Sequence, residues 1–219
     1  MSSPTPNSAS TKSAVRRFVA PVVLLVLVAA MALSTTYRDD DAAAPGADAA
    51  FDPKEFAADT YPEVADVIQQ EAKPLTEVLK AVAADPEKAG KELGRREASS
   101  GAYTYSVKGQ GTAGQVEQSL LPLTVPGLPK DTSVSLQVGP AINGSALRDA
   151  SGTVEFGEFT NQVEYADAAT ALNSEMREQV LADLDPASLA GKKVTFVGAV
   201  QLLTPTTVTI TPVSVQVQP

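Results

Sequence analysis

The sequence has no cysteine, no histidine and no tryptophan in 219 residues. Without cysteine there is no disulfide, no thiolate nucleophile and no lipidated N-terminus. Without histidine there is no imidazole base. Together the two absences remove Cys/His zinc sites and the usual ligation of haem and iron–sulfur clusters, and no cofactor is implied. Aromatic residues are few, six Phe and five Tyr. Carboxylates, Lys, Tyr, Ser and Thr are what remain for chemistry. A lack of cysteine is equally at home in an exported protein that avoids redox dependence, so it does not argue for the cytosol.

Acids outnumber bases 26 to 17, for a net charge of -9. Residues 1–37 hold Lys12, Arg16 and Arg17 and no acid, and removing those three positive charges from the total leaves -12 on the remainder. A body so acidic repels a phosphate backbone, and no basic stripe offsets it, so nucleic acid is excluded as a partner. Gly109-Gln110-Gly111 with Gly114 lacks the spacing and the strand-to-helix setting of a dinucleotide site, and no phosphate loop occurs. Asn143-Gly144-Ser145 fits the N-glycosylation acceptor pattern, which is too common to carry weight.

The charge asymmetry frames a long apolar run. Phe18 to Tyr37 is uncharged, with Val22-Val23-Leu24-Leu25-Val26-Leu27-Val28 at its centre. A helix of that length spans roughly 30 Å, the thickness of a bilayer's hydrocarbon. Basic residues precede it and Arg38-Asp39-Asp40-Asp41 follows, so the positive-inside rule places the C-terminal body outside the cytoplasm. The segment reads as an uncleaved signal anchor that makes the protein single-pass in the cell membrane. The alternative is a signal peptide cut near Ala32, since Ala30-Met31-Ala32 fits the small-x-small pattern, which would release the body. Residues 1–17 are then a cytoplasmic basic terminus, 18–37 the anchor or signal segment, and 38–50 an Ala/Gly/Pro-rich spacer.

Residues 51–97 read as a helical segment. Thr60-Tyr61-Pro62-Glu63 offers a helix start, Val64, Val67 and Ile68 a first stripe, and Leu75, Val78, Leu79 and Val82 a second after Lys73-Pro74. Asp85-Pro86-Glu87 starts another helix and Gly94 stops it. These apolar faces are expected to pack on the domain that follows, the other reading being a partner-binding helix.

From residue 98 to 219 the period changes to two. Tyr103, Tyr105 and Val107 open a long strand that the glycines at 109, 111 and 114 would bend. Leu121–Val125 and Val134–Val138 are the next two strands, and 140–160 is irregular. Asp167 is expected to cap a helix bearing Leu172, Met176, Val180 and Leu184, closed by Asp185-Pro186. Lys193–Leu203 and Thr207–Val217 form a last hairpin around Pro205, with Pro212 implying an edge or a bulge. Three strands, a helix and two strands are the order of an OB-fold, so the fold class is mainly β with helices (α+β): a five-stranded OB-like barrel (β-β-β-α-β-β) behind a short helical segment and an N-terminal transmembrane or signal helix.

The densest polar stretch surrounds the approach to the barrel helix. Arg148 with Asp149 could fork onto a polar ligand, and Asn161, Gln162 and Glu164 carry the groups that hydrogen-bond sugar hydroxyls. The competing and stronger reading is architectural: Arg148 pairs with a carboxylate to pin a loop, and Asn161 caps or turns. Glu155, Glu158, Glu164 and Asp167 supply carboxylates for glycoside hydrolysis only if a pair shares a cleft, which proximity in sequence does not establish. The chain is therefore read as non-catalytic, with no metal site.

Several segments together resemble a known family. They include Phe51-Asp52-Pro53-Lys54-Glu55-Phe56, Gly94-Arg95-Arg96-Glu97, Gly139-Pro140-Ala141-Ile142-Asn143-Gly144-Ser145-Ala146-Leu147-Arg148-Asp149-Ala150, Phe159-Thr160-Asn161-Gln162-Val163-Glu164-Tyr165-Ala166 and Gly191-Lys192-Lys193-Val194. Over about residues 51 to 217 they are similar to the bacterial predicted periplasmic lipoproteins of unknown function. The resemblance implies an exported, membrane-tethered protein often encoded beside sugar ABC importers, and it brings no catalytic residues. The lipidated cysteine of that pattern is missing here, so the apolar segment must replace it as the tether or the body is released. The expected role is an accessory or interaction module of sugar ABC import, with the permease or solute-binding protein as partner. The alternative is an OB domain that binds a carbohydrate or other small ligand itself.

Overall fold

The computed structural model describes residues 51–97 and 101–218. The anchor or signal segment at 18–37 and the spacer lie outside the described residues. Among the described residues no helix is long and apolar enough to cross a membrane.

Helix α1 spans Pro53–Glu71 and starts earlier than the Thr60 signal suggested. Asp52 is the reason: its carboxylate accepts from the backbone N–H groups of Lys54 and Glu55, and Pro53 sits where a missing N–H costs nothing. Pro62 falls inside the helix, on its exposed side. Val64 and Ile68 are fully buried, as the stripe required. After β1 (Lys73–Pro74) come α2 (Leu75–Ala84), with Leu75, Val78, Leu79 and Val82 inward, and α3 (Pro86–Leu93), capped by Asp85. The segment closes on β2 (Gly94–Arg95).

The barrel follows as β3 (Thr104–Ala113), β4 (Leu120–Thr124), β5 (Ser133–Gln137), β6 (Lys193–Gln201) and β7 (Thr207–Val217). They pair in the order β3-β4-β5-β7-β6, and β6 returns to β3 to close the ring. Only β5 and β7 run parallel within the ring; the other pairs are antiparallel. The strand β3 pairs with β6 from Thr104 to Thr112 and turns onto β4 at Thr112 and Ala113. Its glycines permit close approach there. A Cβ on Gly109 would lie 2.7 Å from Phe196 Cζ, and one on Gly111 3.0 Å from the Thr124 carbonyl oxygen. Beside its pairing with β6, β3 is bridged by β1 and β2, so the helical segment is stitched to the barrel's first strand. Val64, Ile68, Leu75 and Val78 share one core with Phe196, Leu121, Leu136 and Ile210, so those helical faces pack on the barrel.

Pro212 sits at a bulge, as expected, where the register slips between Val197 and Gly198; β7 pairs with β5 through Thr207–Ile210 and with β6 through Thr211–Val217, so Pro212 has a paired strand on the β6 side alone. Two expectations for 140–185 need correction. The 140–160 region is not wholly irregular, since α4 forms at Ala146–Ser151 and ends on Gly152 in the left-handed region (φ 65°). Helix α5 spans Gln162–Met176 and begins at Asn161, not Asp167. It widens into a π turn at Arg177–Leu181, whose extra residue moves the inward position from Val180 to Leu181.

Candidate functional site

Arg148 stands on α4 and is only 9 % exposed. Its Nε donates to Asp149 Oδ1 at 2.8 Å, its Nη2 lies 2.7 Å from the same oxygen, and its Nη1 donates to the Tyr165 carbonyl at 2.8 Å. The guanidinium also stacks on the Tyr165 ring, 3.5 Å from the centroid. Asp149 Oδ2 accepts from Ser145 Oγ at 2.6 Å. Each of the three guanidinium nitrogens has a partner within the chain, so the group works as a brace between α4 and α5.

Asn161 and Glu164 are occupied in the same way. Asn161 Oδ1 accepts from Val163 N and Glu164 N, and Glu164 Oε2 accepts from Thr160 N at 2.9 Å. Gln162 is exposed at the first position of α5. Asn161→Ala should therefore cost about 0.5–2 kcal/mol of stability by leaving the first-turn donors unpaired, measured by urea denaturation followed through tyrosine fluorescence. Of the four carboxylates considered for hydrolysis, Glu155 and Glu158 cap a 3-10 turn at Phe156–Glu158, Glu164 is held by Thr160 N, and Asp167 is exposed on α5.

Tyr165 anchors the brace. Its hydroxyl is buried with no hydrogen-bond partner among the described residues. Burial is the main cause of its raised pKa; the carboxylates of Glu97 and Asp149 add to it, and Arg148 opposes it. Tyr61 is raised in the same sense, by burial and then by Glu175. A phenol whose folded pKa exceeds its unfolded value of 10.0 contributes stability that is complete below that value and lost as pH climbs through the folded pKa. The fold should hold its stability up to about pH 10 and lose it above. A spectrophotometric tyrosinate titration should show these two phenols ionising late, together with unfolding; early, reversible ionisation of every tyrosine would contradict this.

Around Tyr165 lies a feature that the sequence did not disclose. Phe51, Phe56 and Phe159 meet pairwise at 5.3–5.5 Å between centroids, and Phe159 and Phe156 each lie 5.4 Å from Tyr165. Five aromatic rings thus gather where the described chain begins. The rim is not sealed, since Phe156 is 45 % exposed and Val163, on the first turn of α5, 69 %. The Phe-x-x-Phe spacing at 156–159 and the two phenylalanines at 51 and 56 were the available signal, but only the fold places the pairs together. Alongside runs a cleft of about 440 Å³ lined by Arg95, Arg96, Glu97, Asp149, Glu155 and Phe156.

The barrel face that OB-folds use for ligands is differently furnished. With Leu121, Leu123, Val134 and Leu136 inward, β4 and β5 turn Pro122, Thr124, Ser133 and Ser135 outward, none of them aromatic. A groove of about 860 Å³ lies between α2, the 127–132 turn and Pro205-Thr206.

A closed five-stranded barrel of this order, with its helix between the third and fourth strands, defines an OB-fold body. A crystal structure of an OB-fold protein from Thermotoga maritima is similar, with a TM-score of 0.61 and 20 % identity over 77 % of this chain and 99 % of that one. The chain matches, over residues 22–216, the family described as predicted periplasmic lipoprotein (DUF2291), and it belongs to that family. The family is extracytoplasmic and membrane-associated, and its function is unknown. No curated protein matches the chain.

Proposed function

We propose that the protein is a membrane-tethered extracytoplasmic interaction module of sugar ABC import, docking the permease or the solute-binding protein through its aromatic end. The observation that carries this reading is the five-ring rim at Phe51, with Phe156 and Val163 exposed where the chain arrives from the predicted anchor. Interface centres favour aromatic side chains, and apolar groups left in water at a defined place are what a partner would cover. The candidate polar residues support a scaffold role, because Arg148, Asp149, Asn161 and Glu164 spend their hydrogen bonds on holding the α4–α5 corner under that rim.

Isolation of the full-length protein from gently solubilised native membranes of cells grown on different sugars tests this. Mass spectrometry should find the intact N-terminus together with a sugar importer subunit. Recovery of the protein from the soluble fraction, or alone from the membrane, would count against it. The second reading is direct binding of a carbohydrate or another small ligand. The strand face has no ring for a sugar to stack on, but a polar cleft of about 410 Å³ lined by Glu71, Lys73, Glu92 and Arg95 favours that reading.

A further inference from the structure

The connection from β5 to α4 carries Asn143-Gly144, and both residues are exposed. The main chain on either side of their junction is held by side chains from elsewhere. Buried Gln137 grips Asn143 at both ends: its Oε1 accepts from Asn143 N at 2.8 Å, and its Nε2 donates to the Asn143 carbonyl at 2.9 Å and to Thr211 Oγ1 at 2.8 Å. Asn173 Nδ2 donates to the Gly144 carbonyl at 2.8 Å.

Two groups at the junction are left free. Neither the Asn143 side-chain amide nor the Gly144 N–H has a hydrogen-bond partner among the described residues. These are the reacting groups of succinimide formation, in which a backbone nitrogen attacks the side-chain carbonyl carbon of the preceding asparagine. Glycine is the residue that crowds such a nitrogen least. Gly144 holds φ 92°, and a Cβ placed on it would meet nothing within 4 Å, so the junction is open to water. The other described asparagines are differently placed. Asn161 Oδ1 accepts from Val163 N and Glu164 N, and Asn173 is 4 % exposed within α5 with its amide spent on Gly144.

We propose that Asn143 is a site of spontaneous deamidation in the folded protein. The Gly144 nitrogen bonds to Asn143 Cγ, the bond from Cγ to the amide nitrogen breaks, and ammonia leaves carrying the proton that the Gly144 nitrogen gave up. Water then opens the imide at either carbonyl. Attack at Cγ gives aspartate; attack at the main-chain carbonyl carbon gives isoaspartate, whose chain runs on through Cβ and Cγ. No oxidant or reductant is required, and either product adds one negative charge at position 143. The products differ in what they do to the junction. Aspartate keeps every backbone contact. In isoaspartate the carbonyl that Gln137 holds becomes a free carboxylate, and the path to Gly144 is one bond longer. The Gln137 and Asn173 contacts on the two sides of the junction then cannot both be kept, and a buried amide loses its match. The site is independent of the docking face.

The test is incubation of the purified full-length protein in detergent at mildly alkaline pH, where it stays folded, followed by peptide mapping with mass spectrometry. Residue 143 should convert at least about tenfold faster than residues 161 and 173, whose amides become reactive only through local opening. Enzymatic methylation specific for isoaspartate should label the same peptide. Asn143→Gln, which would have to close a larger ring, should stay unconverted over the same period. Asn143→Asp should unfold at the wild-type urea concentration, and the isoaspartate fraction at a lower one. No conversion at 143 in the folded chain, or earlier conversion at 161 or 173, would overturn the site. An isoaspartate fraction as stable as Asn143→Asp would overturn the loss of the backbone contacts.

Discussion

Arg148→Ala should destabilise the protein by about 3–5 kcal/mol, the cost of removing one partner from a buried ion pair. Asp149 would keep a carboxylate whose side chain is about 10 % exposed, with only Ser145 Oγ donating to it from a side chain, and the Tyr165 carbonyl would lose its guanidinium donor. The Tyr165 ring would lose the cation stacked on it. The same reasoning predicts a recovery: an apolar double variant, Arg148→Met with Asp149→Leu, should regain most of the loss, because it leaves no buried charge unpaired. Urea denaturation of the single and double variants, with the slope compared to show that the unfolded state is unchanged, measures both. A loss below about 1 kcal/mol in the single variant would mean that Arg148 is not a brace and would return it to the candidates for ligand binding.

Phe196→Ala should cost about as much, 3–5 kcal/mol, because a fully buried ring at the barrel's centre leaves a cavity that neighbouring strands cannot close. The ring lies against Gly109 across the β3–β6 pair, with room for hydrogen alone at that Cα. Gly109→Ala should therefore cost about 1–3 kcal/mol through overpacking. In a Phe196→Leu background the same substitution should cost clearly less, because the smaller side chain vacates the space its methyl needs. Additive losses in this cycle would contradict the packing described, since contacting residues are expected to couple.

The barrel was legible because its strands alternate cleanly. Val194 and Phe196, and Val208 and Ile210, put their apolar side chains on one face, and turn residues separate the runs. Misplacements arose where local signals competed. Asp52-Pro53 and Thr60-Tyr61-Pro62 both look like helix starts, and only packing decides that the chain is already helical at Thr60. Asn161 and Asp167 are both good caps, and the inward stripe at Tyr165 and Ala168 extends the helix back to the first. A π turn has no periodic signature, so Leu181 in place of Val180 was out of reach.

The contacts that hold the candidate residues were only partly legible in the sequence. Arg148 and Asp149 are neighbours in sequence, but the carbonyl and ring that complete their environment come from Tyr165, which no spacing links to them. The aromatic rim was hidden for the same reason: Phe51 and Phe159 are more than a hundred residues apart yet lie 5.3 Å between centroids.

Site-specific photo-crosslinking in native membranes reads out whether the aromatic end meets an importer subunit, with the probe placed in turn at Val163, at Phe156 and at Thr209 on β7. Crosslinks from positions 163 and 156 to a sugar ABC permease or solute-binding protein, with none from 209, are the predicted result. Crosslinks from 209 alone, or none from any position in cells importing the sugar, would contradict it.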